Sequence, residues 1–153
     1  MPESIEFIIK LIFVAVGIVG GLYSLYSILL SQAANSWSTV SGKIEFHGVE
    51  ESRDSDGDLM YEAKVEYSYE FRGRRYTGKR IGFGLGSWNI KWLVWSAYRE
   101  ATKMAPRATV FVNPRNPKLA TLLKGIKSFH VVNVLFFTGW NIVVYKVLTS
   151  GSI

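Results

Sequence analysis

The sequence predicts an α+β membrane protein in which two transmembrane helices flank a small antiparallel β-rich domain carrying one helix of its own. Three observations predict it. Two long apolar runs, IIKLIFVAVGIVGGLYSLYSILL (Ile8–Leu30) and FHVVNVLFFTGWNIVVYKVL (Phe129–Leu148), lie near the two ends of a 153-residue chain. Between them, in Ser31–Ser128, YEAKVEYSYEF alternates apolar and polar residues with strict period two, the mark of a half-buried strand. The mean hydropathy of +0.14 is high for a soluble chain of this size, and the two runs concentrate it.

The first run carries no charge after Lys10, so Leu11–Leu30 alone gives roughly 30 Å of helix, enough to cross a bilayer core. Ser31-Gln32-Ala33 has the small-x-small form of a leader cleavage site. Glu3 and Glu6 spoil a positive leading region, however, and the apolar stretch is longer than leaders use, so the helix is expected to be retained. Gly17 and Gly21 form a GxxxG pattern, and Gly20 and Ser24 repeat the small-residue spacing. Such faces let backbones approach closely. Packing against the second helix of the same chain is the expected use, with a homodimer as the alternative.

The middle segment opens with VSGKIEFHGVEES, read as a strand, and RDSDGD, read as its turn. In the second strand Tyr61, Ala63, Val65, Tyr67, Tyr69 and Phe71 share one face. A two-residue Arg72-Gly73 turn then places Glu70 opposite Arg75, Tyr69 opposite Tyr76 and Glu66 opposite Lys79, matching charges and aromatics. Arg72 is a poor first turn residue, because a type I′ turn needs positive φ there. SWNIKWLVWSAYREATKMA reads as a helix with Ser87 as N-cap. Trp88, Trp92 and Trp95 fall at helical spacing, either facing the sheet or forming a partner surface. Pro106 stops the helix and ATVFV returns as a strand. Pro114 and Pro117 end that strand, since proline donates nothing to a sheet ladder and pushes its predecessor out of the helical region. The chain then turns to the membrane through KLATLLKGIK.

The second long run matches the first in length if Lys146 snorkels to the interface, and Phe129, Trp140 and Tyr145 sit towards its two ends. Asn133 and Asn141 interrupt it and are expected to hydrogen-bond across the helix contact. No charge lies deep in either run, which argues against an ion channel or transporter. The formal charge of +6 therefore belongs entirely to the middle segment. Lys43, Arg115, Lys118, Lys124 and Lys127 near the helix ends lean the domain towards the cytoplasmic side.

Reaction chemistry is not legible. The chain has no cysteine and only two histidines, His47 and His130. It lacks a zinc-protease motif, a nucleophile elbow and a phosphate loop, and GFGLG from Gly82 has the wrong spacing for a dinucleotide. Asp54, Asp56 and Asp58 alternate as in a calcium loop, but Gly57 and Val65 occupy places that such a loop gives to other residues. No enzyme, metal or cofactor is expected. The hairpin carries Arg72, Arg74 and Arg80 without cross-strand partners. They read as a solvated sheet edge or as a contact for anionic lipid, each basic residue near such a surface contributing about 1 kcal/mol. Nucleic acid is disfavoured, because a domain tied to the bilayer at both ends has restricted access.

After the first apolar run come, in order, Trp37 with Gly42, the hairpin VEYSYEFRGRRYTGKR and the ending ATVFVNPRNPKLATL, and the second run follows, so that with both helices the pattern covers nearly the whole chain. In that order and spacing the chain resembles a widespread bacterial family of small two-pass membrane proteins, catalogued only as a domain of unknown function. It departs from the family by carrying Val112 where an aromatic residue usually precedes Asn113, and by its Trp-rich helix. The resemblance implies a bacterial inner-membrane location and this architecture, and no activity. The expected function is a non-catalytic, membrane-anchored binding module for a protein partner. An immunity protein against a membrane-acting toxin and an accessory subunit of a membrane complex are the alternatives.

Overall fold

The computed structural model describes residues 3–150 of the chain. α1 (Glu3–Ala33) runs into a short 3-10 turn at Ala34–Ser36, and then come β1 (Ser38–Arg53), β2 (Leu59–Phe71) and β3 (Arg74–Gly78). α2 (Lys91–Thr102), β4 (Arg107–Val112), β5 (Ala120–Thr121) and α3 (Ser128–Thr149) complete the order. All pairings are antiparallel, in the order β3-β2-β1-β4-β5. The α+β architecture with two flanking helices is the one the sequence predicts.

α1 and α3 are both long and apolar enough to cross a membrane. They differ from the core helices of a soluble protein, because Leu22, Leu25, Leu29, Leu135, Phe136 and Val143 all stand exposed around the pair. The helices pack antiparallel. Phe13 stacks on Trp140 at 5.2 Å, and Asn141 reaches Gly17.

The core lies on one face of the sheet. Val65, Tyr67, Tyr69 and Phe71 of β2 are buried there with Ile44 of β1 and Val110 and Val112 of β4, as the period-two pattern requires. α2 covers this face with Leu93, Val94 and Ala97. The hairpin has the expected register, Glu70 opposite Arg75 and Tyr69 opposite Tyr76. Arg72 (φ 53) and Gly73 (φ 71) are both left-handed, the conformation a type I′ turn demands. β1 carries a bulge between Ile44 and Phe46, and Glu45 sits at that irregularity.

Three expectations need correction. The helix after β3 begins at Lys91, with Ile90 rather than Ser87 at its N-cap position. Trp88 is held outside it by a two-way backbone bridge with Tyr61, at 2.7 and 2.9 Å. Two tertiary backbone bonds outweigh one local capping signal. The sequence after Pro117 also hides β5, which pairs with the end of β4. NPRNP is thus a hairpin turn: Asn113 Oδ1 accepts from Arg115 N and Asn116 N, and Asn113 N donates to Leu119 O. The Pro117 carbonyl accepts from the Tyr69 hydroxyl at 2.7 Å. Finally, Arg75 reaches past Glu70. It lies 3.6 Å from Glu45 on β1 and donates to Ser68 Oγ, because the bulge brings Glu45 to that face.

Candidate functional site

The three tryptophans do not form one surface. Trp88 is half-buried and packs against the core beside Ile90. Leu93, Val94 and Ala97 take the sheet-facing positions of α2, which leaves Trp92 and Trp95 on its outer flank. Trp92 is 58% exposed. Trp95 is half-buried and meets Tyr98 edge-on at 5.5 Å, and Tyr98 in turn bonds His47 Nδ1 at 2.7 Å. With Asn89, Lys91 and Arg99 the two indoles line a shallow depression. An exposed indole next to a half-buried one, with Lys91 and Arg99 on the rim, can anchor a protein ligand, since tryptophan and arginine dominate the energetics of protein contacts.

The basic candidates are likewise separated. Arg72 lies over the Phe71 ring at 5.0 Å and Arg80 over the Phe83 ring at 4.8 Å. Phe83 also meets Trp37 edge-on at 5.7 Å, so Arg80 caps an aromatic stack that ties the loop after β3 to the end of α1. Arg74 begins β3 and Arg80 follows its end. At about 3.3 Å per strand residue they stand roughly 20 Å apart. Among the described residues none of the three forms an ion pair, but they do not make a single patch. Lys79 pairs with Glu66, as the register requires. Lys43, then Ser68, hold the Glu45 carboxyl below its usual range through hydrogen bonds, with Arg75 adding to the effect.

Between the helices, Gly17 is on the contact, but Gly21 is not. A Cβ on Gly17 would fall 2.5 Å from Asn141 Oδ1, and one on Gly20 would enter the Phe137 ring; one on Gly21 would meet nothing within 4 Å. The seam follows Gly17, Gly20, Ser24, Ser27 and Ser31, a 3-4 alternation that keeps one helix face in register with a partner. That periodicity is in the sequence, and it separates Gly20 from Gly21 once it is followed as far as Ser31. Asn141 Nδ2 donates across the contact to Gly17 O at 3.3 Å. Asn133 Nδ2 donates instead to Gly84 O, in the loop that docks on Ser27.

His130 is buried at the start of α3, and its Nδ1 accepts from Lys127 N. Among the described residues, no group of three His, Asp or Glu side chains is placed to hold a metal ion. The Asp54 carboxylate accepts from Asp56 N and Asp58 N, so it closes its own turn.

No curated protein and no solved structure matches the chain significantly. Residues 40–127, from β1 through the β4–β5 hairpin to the last residue before α3, match a family described as a domain of unknown function, DUF3592. That match spans more than half of the chain, and the protein belongs to the DUF3592 family.

Proposed function

We propose that the protein is a non-catalytic binding module, anchored in a membrane by α1 and α3, whose domain engages another protein through the outer flank of α2. The observation that carries this reading is the exposure of Trp92 beside Trp95 on a helix whose other face is fixed to the sheet. An indole at 58% exposure gains most from burial against a partner, and the rigid helix removes much of the ordering cost of binding.

Site-specific photo-crosslinking tests it. A crosslinker at Asn89 or Arg99 in the full-length protein, in its native membrane, is expected to capture one defined protein. Trp92→Ala should lower that yield on the order of tenfold, the effect of a central aromatic contact. Equal yields from the two proteins, or capture of nothing above background, would overturn the reading. The captured species also separates the variants of this function. A membrane-acting toxin against which expression protects the cell identifies an immunity protein, and a resident membrane complex identifies an accessory subunit.

A further inference from the structure

A second groove, of about 410 Å³, lies between the end of α2, β4 and the segment leading into α3. It contains three lysines, Lys103, Lys124 and Lys127, and one carboxylate, Glu100. Lys127 neutralises Glu100 in an ion pair. Lys124 rests over the Phe111 ring at 4.4 Å, and among the described residues neither Lys103 nor Lys124 has an acidic partner. The floor is apolar, formed by Ala108, Phe111, Leu122 and Leu123. Two unneutralised ammonium groups over an apolar floor call for an anion that carries hydrocarbon with it.

The level of the groove is fixed by the chain. Asn35, two residues beyond α1, lines it, and Lys127 immediately precedes α3. Gly125 N donates to the Ser31 carbonyl at 2.8 Å, binding the segment to the last turns of α1. Leu122 N and Leu123 N both donate to Ile81 O, so Lys124 and Lys127 stand on a braced segment rather than on a loose tail, while Lys103 caps the end of α2. The groove therefore opens where both helices leave their apolar spans. Met104 and Ile126, each 54% exposed, flank it and present the apolar surface that a bilayer boundary covers.

We propose that this groove binds the headgroup phosphate of an acidic phospholipid, with Lys103 and Lys124 as its cationic contacts and the acyl chains lying along the exposed helix flanks. Lysine suits this role as a point charge for phosphate. The site is separate from the Trp92 surface and does not depend on which protein that surface binds. It also replaces the hairpin arginines as the main anionic-lipid contact.

The test uses the full-length protein, purified from bilayers of mixed phosphatidylglycerol and phosphatidylcholine, with retained lipid counted by native mass spectrometry. The wild type is expected to retain phosphatidylglycerol in preference. Lys103→Gln with Lys124→Gln should lower that retention on the order of tenfold or more. Arg72→Gln with Arg74→Gln should leave it unchanged, and Lys103→Arg with Lys124→Arg should preserve it. No preference in the wild type, equal retention in the Lys→Gln variant, or equal loss in the hairpin variant would each overturn the proposal. If circular dichroism shows the double Lys→Gln variant unfolded, Lys103→Gln alone decides on the same readout, since Lys103 is exposed at the end of α2. A few-fold loss then supports the site, and none refutes it.

Discussion

Tyr67 shows how one side chain serves both register and loop placement. It is 1% exposed, and its ring lies against Gly78, where any Cβ would come within 2.5 Å of it. Its hydroxyl donates to the Arg80 carbonyl at 3.0 Å, fixing the loop that leads to Phe83. Burial pushes the phenol well above its ordinary value, with Tyr69 adding to the rise and Arg80 opposing it. The native state thus holds this proton more tightly than the unfolded chain does. The resulting stability is full below the ordinary phenol value and is lost as pH climbs through the native one. Tyr67→Phe should cost about 1 kcal/mol at neutral pH, from the lost hydrogen bond. It should also flatten the alkaline fall in stability, leaving the smaller share due to Tyr69, whose phenol burial also raises. Chemical denaturation at a series of pH values from neutral to strongly alkaline measures both effects. An unchanged alkaline slope in the variant would reject the assignment.

Elements differ in how openly the sequence declares them. β2 is legible residue by residue, because a strand buried on one face alternates apolar and polar residues, and Tyr61 through Phe71 do so in sequence without a break, although Ser68, bonded to Glu45, is buried too. The hairpin register is legible because only one alignment sets Glu70 against Arg75 and Tyr69 against Tyr76. The start of α2 is not legible, because Ser87 offers a local cap while Trp88 answers to Tyr61, far away in sequence. β5 is too short to show any period. The lysine groove is hidden for a related reason, since Lys103 and Lys124 belong to segments that only the fold brings together. The helix pair gives the sharpest test at this scale. Gly20→Ala should destabilise the α1–α3 packing by about 1–3 kcal/mol through collision with Phe137, whereas Gly21→Ala should be neutral. Thermal unfolding in detergent compares the two, and equal effects would mean that the seam runs through Gly21.

The whole molecule is a sheet domain that falls between the two helices in the sequence and sits at one end of the antiparallel helix pair. If both helices cross the bilayer, both termini lie on one side and the Asp54–Asp58 turn on the other. Cysteines placed singly at Ser4, Asp56 and Ser150 report this through labelling of sealed vesicles by an impermeant maleimide. Ser4 and Ser150 should behave alike and opposite to Asp56, and a split between the termini would remove one span. The positive-inside bias leans Asp56 towards the cytoplasm, and the same labelling reads that directly.

The bond from Gly125 to Ser31 has one more consequence. A domain joined to a bilayer by a single flexible stalk explores a hemisphere, and its binding surface meets partners at every height and angle. Here the chain leaves α1 and returns to α3 through junctions tied by backbone bonds, so with both helices in a bilayer, as proposed, the domain is expected to turn with the helix pair about the membrane normal. Its search is then planar. Under the proposed function, a ligand anchored in the same bilayer would meet Trp92 at one elevation, which raises its effective concentration without any added contact. A ligand whose own anchor holds its complementary surface too high or too low would not meet Trp92, however well the two surfaces match. On the proposed function, elevation would then act as a selectivity filter, set by the two short connections as well as by the chemistry of the contact itself.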